Sequence, residues 1–186
     1  MRGAAIARGA LSLDAFERDP DSGRAVDFRA FVPHCPSVDM RFLLDTTVIS
    51  ELVRPNPSPR VVEWICRTPS LDLALSVLTL GQLAKGVASM PPGGRQSGLE
   101  SWLVAELPRQ FSGRMLAVDE SVALGWGRFA AAARETGRPL PVIDGLLLAT
   151  ASVHRLVLVT RNSSDCEGRG VPTLNPWEPG PAIAHP

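Results

Sequence analysis

The chain has 186 residues, 45% of them hydrophobic, enough for one ordinary globular domain with a sizeable core and no need of covalent staples. Its 19 Lys and Arg balance its 19 Asp and Glu, so no global basic field advertises nucleic acid and any such contact must come from local arginines. The three cysteines, Cys35, Cys66 and Cys166, are far apart and lack C-x-x-C spacing, which excludes a disulfide framework or zinc site as the organising principle and fits a reducing cytosol.

Residues 1–39 mix Pro, Gly, Asp and Arg with no sustained period. They read either as a disordered N-terminal extension or as an upstream start, with translation beginning at Met40. The early stretch "AAIARGALSL" is broken by Arg8 and Gly9 before a signal-peptide core could form, and no apolar run reaches membrane-spanning length. A cytoplasmic protein without a membrane anchor is expected.

Regular patterning begins at Met40, and a single domain is expected over residues 40–180, with a Pro-rich tail at 181–186. "RFLL" predicts a strand, residues 46–53 and 59–67 predict helices separated by Pro55, Pro57 and Pro59, and "LDLALS" predicts a second strand. "LTLGQLAKGVASM" places Leu80, Leu83, Ala84 and Val87 on one helical face, and a further helix is expected over about residues 95–107 after the "PPGG" break. "RMLAV" predicts a third strand. A helix over 120–135 stopped by Gly137 follows, then "PVIDGLLLATASVHR", a helix with Ile143, Leu146, Leu147, Thr150 and Ala151 directed inward. "LVLVT" predicts the fourth strand and "VPTL" a short fifth. Strands that take turns with helices imply an α/β fold whose parallel sheet is covered on both faces.

Carboxylates gather at the ends of these strands. "LLD" ends in Asp45, "LAV" is followed by Asp119, Asp165 lies a turn beyond the fourth strand, and Asp144 sits in the first turn after Pro141. Each one alone reads as a helix cap. Several on one sheet edge would repel unless a cation lay between them, and oxygen-only ligands suit Mg²⁺ or Mn²⁺. Glu51, nearly two turns past Asp45, is expected to face solvent or the rim.

The ordered blocks "MRFLLDTTVISEL", "LSVLTLGQLAKGV", "PVIDGLLLATASVHRLVLVTRN" and "TLNPWEP" together resemble a PIN-domain toxin ribonuclease of the VapC/FitB type, from Met40 to about Gly180. The resemblance implies a three-layer α/β/α sandwich around a mainly parallel sheet of four to five strands. It also implies Mg²⁺- or Mn²⁺-dependent endonucleolytic cleavage of RNA, neutralisation by a small VapB/FitA-type antitoxin, and homodimerisation. Carried over by position, three acidic sites fall on Asp45, Asp144 and Asp165, the expected metal ligands.

The remaining acidic position departs from the pattern. Where the family reads "LTLGELAKG" this chain reads "LTLGQLAKG", so Gln82 keeps a carbonyl oxygen but removes a negative charge. Metal affinity and activity should fall, which leaves open a second reading: a catalytically weakened PIN fold that mainly binds its antitoxin. Thr46 and Asn162 match polar site positions, though Thr beside a helix start and Asn in a turn are also commonplace. Asp119 is expected to cap the next helix, His154 to end one, and Trp64, Trp102 and Trp126 to pack inside helices. Arg161 and Lys85 could meet phosphate. A phosphatase or receiver domain would need a second acidic residue where Thr47 stands or an acidic pair at the first strand's end, and neither is present.

Overall fold

A computed structural model describes residues 40–179, apart from the side chains of Ser164 and Asp165; the expected extension at 1–39 and tail at 181–186 lie outside the described residues. The strands are β1 (Phe42–Leu44), β2 (Leu73–Ser76), β3 (Met115–Leu116), β4 (Val157–Val159) and β5 (Thr173–Leu174). They form one five-stranded sheet in the order β3-β2-β1-β4-β5, and every pairing is parallel. The helices are α1 (Thr46–Leu52), α2 (Pro59–Arg67), α3 (Val77–Ala88), α4 (Gly94–Ser101), α5 (Leu107–Gln110), α6 (Glu120–Glu135), α7 (Val142–Val153) and α8 (Ser163–Cys166).

β1 is buried throughout, and its alternation divides the core in two. Phe42 and Leu44 join Leu73, Leu75, Val159 and the apolar faces of α1 and α2 on one side. Leu43 joins Ala74, Leu158 and α7 residues Leu147, Leu148 and Ala151 on the other. A strand buried on both faces has no polar alternation to show, which is why "FLL" is a continuous apolar run. The result is the expected three-layer α/β/α arrangement.

The winding positions the site. From β1 the chain steps outward through β2 to β3, then returns to the other side of β1 as β4. The order therefore reverses between β1 and β4, whose register pairs Leu44 with Val159. At such a switch the following connections leave in opposite directions and open a crevice beyond the carboxyl ends of the two strands.

Several expected boundaries shift for physical reasons. The first half of "LDLALS" is a 3₁₀ turn, Ser70–Asp72, and β3 and β5 have two residues each, as befits edge strands. The helix expected over 95–107 starts at Gly94 and is interrupted at Trp102–Glu106 by a π-helical turn, with the Leu107 N–H donating to the Trp102 carbonyl. Pro108 explains the interruption, since it has no N–H to give to Val104 and its ring crowds the preceding turn. Ala84 and Ile143, expected inside, are exposed. For α7 the cause is burial on two sides: Leu147 through Ala151 are all buried, so no single inward stripe exists, and the first turn with Val142, Ile143 and Asp144 projects beyond the core.

That two-sided burial needs close approach. A Cβ on Gly145 would lie 2.9 Å from Cδ1 of Trp126, so only glycine lets α6 and α7 meet here. Trp64, Trp102 and Trp126 all lie in helical segments, and Trp64 meets Phe42 edge-on at 5.3 Å between centroids.

Below β3, Arg114 is buried at 3% exposure and gathers backbone carbonyls. Its guanidinium donates to Ser70 at 2.7 Å, Leu73 at 2.6 Å and Gln110, and lies 5.0 Å over the Phe111 ring. Burial pulls its pKa below the ordinary arginine value. Replacement by Met keeps much of the packing but removes these donors. Arg114→Met is expected to destabilise the domain by about 2–4 kcal/mol, because buried acceptors lose their partners; urea unfolding should show a lower midpoint at unchanged slope, with Arg114→Lys in between.

Candidate active site

The crevice at the switch is built around Asp45. Its backbone N–H continues the ladder to the Val159 carbonyl at 3.0 Å, so the residue still belongs to the sheet edge. Its φ of −75° and ψ of 162° then turn the chain into α1, and Oδ1 accepts from the Thr46 N–H at 2.6 Å. The capping role is real, and it occupies only half of the carboxylate. Oδ2 accepts from the Thr47 hydroxyl at 2.9 Å and the Thr160 hydroxyl at 2.8 Å.

Both hydroxyls are themselves oriented. Thr160, only 3% exposed at the end of β4, accepts from the Asn162 N–H at 3.1 Å, and Thr47 accepts from the Arg161 N–H at 3.4 Å. Each threonine thus donates to the carboxylate and accepts from the turn after β4. Asp45 is locked to a segment far along the chain through two hydroxyls, and hydrogen bonds to an ionised acceptor are the stronger kind.

The Thr46 hydroxyl reaches the other way and donates to Oε1 of Gln82, midway along α3. Lys85 is exposed on the same helix, in its last turn. Asp144, exposed in the first turn of α7, lines the same solvent-open cleft as Asp45, Thr160 and Asn162, walled by Leu140, Leu147, Leu158 and Cys166. Asp165 belongs to α8, and its side chain lies outside the described residues. The structure therefore brings Asp45, Asp144 and Asn162 together around one space and ties Thr46 to Gln82 at its margin. Among the described residues no three His, Cys, Asp or Glu side chains group closely enough to hold a metal ion. The donors that do face the cleft include two carboxylates and a side-chain amide.

Two other carboxylates have structural work. Asp119 caps α6, accepting from the Val122 N–H at 2.9 Å, and His154 is the C-cap of α7, both as expected. Glu51 does not face solvent: it is 6% exposed and ties two helices together. Its Oε2 meets Arg54 at 2.9 Å and its Oε1 accepts from the Ser58 N–H at 2.9 Å. Ser58 starts α2 without a side-chain cap of its own, so Glu51 satisfies that helix start from outside. Thr47 and Thr160 were absent from the expected site set. The signal available was a hydroxyl residue at the end of each of two strands, in "LLDTT" and "LVTRN", which becomes meaningful only once β1 and β4 are known to be neighbours.

A comparison with protein families matches the PIN domain over residues 42–164. The chain belongs to the PIN domain family. Over 137 residues it is 35% identical to a VapC ribonuclease, Y4jK, of Sinorhizobium fredii, covering 74% of this chain and 98% of that protein. Over 135 residues it is 36% identical to toxin FitB of Neisseria gonorrhoeae, covering 73% and 97%. In structure it is similar to the crystal structure of FitAcB from Neisseria gonorrhoeae, with a TM-score of 0.70 at 36% identity over 73% of this chain and 98% of that one. A structure of FitAB bound to a DNA fragment gives a TM-score of 0.72 at 33% identity, covering 76% and 99%. No helix among the described residues of this PIN domain is long and apolar enough to cross a membrane.

The Thr160 hydroxyl can be tested apart from any activity. Thr160→Val removes the donor to Asp45 and the acceptor for Asn162 while keeping side-chain volume. The expected cost is about 1–3 kcal/mol in urea unfolding, with faster amide exchange at Asn162, whereas Thr160→Ser should stay close to the parent.

Proposed function

We propose that this PIN domain is the toxin of a type II toxin–antitoxin pair and cleaves RNA as a Mg²⁺- or Mn²⁺-dependent endoribonuclease in the cytoplasm. The observation that carries the proposal is the convergence of Asp45, Asp144 and Asn162 on one cleft at the strand-order switch, with Asp45 held in a single orientation by Thr47 and Thr160. The family relatives that are named as a VapC ribonuclease and a toxin support it, and they are matched over nearly their whole length.

The donor chemistry fits a hard divalent cation, because the carboxylates facing the cleft come with amide and hydroxyl oxygens beside them. Asp45 and Asp144, with Asp165 from α8, would hold it, and Gln82 would act at the margin as a neutral ligand or an orienter of water. The ion would supply a Lewis acid that acidifies water and offsets charge on the phosphodiester. The chain's own part is positional. Thr47 and Thr160 restrict the Asp45 carboxylate, the backbone of Asn162 fixes Thr160, and Leu140, Leu147 and Leu158 form the apolar wall of the cleft.

A second reading is favoured by one specific observation: Gln82 Oε1 is engaged by the Thr46 hydroxyl, a neutral pair where the family pattern has a carboxylate. In that reading the fold retains antitoxin binding and has lost useful cleavage. Gln82→Glu separates the two. A unit charge a few ångströms from a divalent ion interacts by several kcal/mol at an intermediate dielectric, before desolvation offsets much of it. Retention of even ~1.4 kcal/mol would tighten calorimetric Mn²⁺ binding about tenfold. Cleavage already present in the parent and abolished by Asp144→Asn supports a working nuclease; cleavage only in the Gln82→Glu variant supports the weakened one. No metal binding in either form would remove the metal site.

The solved relatives FitAcB and FitAB motivate a partner for this chain as well: a small VapB/FitA-type antitoxin, bound to a homodimer of the toxin. An anionic cleft suits an arginine from such a partner. Co-expression with the neighbouring small gene is expected to yield a stable complex on affinity capture and size-exclusion chromatography. Absence of a complex with any adjacent product would count against the toxin reading.

A further inference from the structure

The turn that locks Asp45 also carries a built corner of a different kind. Arg161 directly follows Thr160, and its guanidinium carbon lies 5.7 Å from the centroid of the Trp177 ring. Trp177 comes from the segment after β5 and packs partly against the core of the α1/α2 face. Its backbone N–H donates to Oδ1 of Asn175 at 3.1 Å, and its backbone carbonyl accepts from Arg60 at 3.1 Å. Asn175 also donates from Nδ2 to the Arg161 carbonyl at 3.4 Å and to Glu178 at 2.8 Å, so one side chain clasps both members of the pair.

The structural ties of Arg161 run through its backbone, with the N–H to Thr47 and the carbonyl to Asn175, while the side chain is exposed. A chain with no net charge has here set a guanidinium on an indole, with Arg60 bonded to the Trp177 carbonyl, and the backbone N–H of the same Arg161 is one hydroxyl, that of Thr47, away from the candidate carboxylate. Glu178 is the countercharge at this corner, and it is held on Asn175.

We infer that Arg161, braced on Trp177, is the seat for an unpaired nucleotide next to the scissile phosphate, its plane stacking the base and its charge meeting the adjoining phosphate. The inference rests on the nuclease reading above and adds to it the residue pair that receives the flanking base. A guanidinium fixed on an aromatic face presents a flat cationic surface of the kind on which splayed bases stack, and the bracing removes rotamer freedom that a solvated arginine would lose on binding. A duplex cannot offer that base without unpairing it.

The test uses the full chain with Asp144→Asn to block cleavage and a fluorescein-labelled single-stranded RNA oligonucleotide, read by anisotropy across a salt series. Arg161→Ala is expected to weaken binding about tenfold and to lower the salt slope by about 1, at an unchanged unfolding midpoint. Arg161→Lys should keep the slope but recover only part of the affinity, because it restores charge without the plane. Trp177→Leu, checked for folding by its unfolding midpoint, should resemble the Lys variant. Parent binding with an unaffected Arg161→Ala variant overturns the seat and leaves the nuclease reading standing. Full affinity in Arg161→Lys also overturns it, reducing the residue to a phosphate contact. If the parent neither binds RNA nor cleaves it when Asp144 is intact, the nuclease reading fails and the seat with it. Loss of antitoxin binding in Arg161→Ala at unchanged RNA affinity overturns the seat in favour of a protein contact.

Discussion

A carboxylate placed at the end of a fully buried central strand must be satisfied where it stands, and Asp45 is satisfied by residues from both ends of the domain. One oxygen takes the helix that begins beside it; the other takes hydroxyls from that helix and from the strand alongside. Hydrogen bonds to a charged group contribute roughly 1.5–3 kcal/mol each, while an unmet buried charge costs more than that. The path of β4, the turn after it and the entry angle of α1 are all constrained by this requirement. The cleft is what remains open when they are met.

Much of this was legible in the chain. Alternating helix and strand patterns, the position of Asp45, the Asp119 cap and the acidic first turn of α7 all follow from local spacing. The parallel sheet follows from that alternation, and its two-sided core from the unbroken apolar run of β1. What escaped depends on non-local geometry. Glu51 looked like a rim residue because nothing near it in sequence shows that the chain doubles back to present the Ser58 N–H. Ile143 looked internal because helical periodicity assumes one buried face, and α7 has two. Thr160 became part of the site only through the neighbour relation of β1 and β4, which no local window contains.

Gln82 illustrates how a residue that departs from the pattern expected from the sequence is accommodated. The amide keeps the shape of the glutamate expected there and finds a neutral donor in Thr46, so its side-chain oxygen is partnered. Structural fit and electrostatic function separate at this residue. The hydroxyl–amide pair that partners this oxygen says nothing about how strongly the cleft attracts a cation.

The bond between Thr160 and Asp45 spans 115 residues, and the strand that carries Thr160 is the fourth of five. Parallel pairing of such distant segments cannot be rehearsed locally, so the crevice closes only after most of the domain has been made and released for folding. A nascent chain holding Asp45 alone has a capped helix and no active cleft. Whatever chemistry the cleft performs, the wiring of the sheet acts as a delay, because no partial chain that lacks β4 and the turn after it can assemble the cleft.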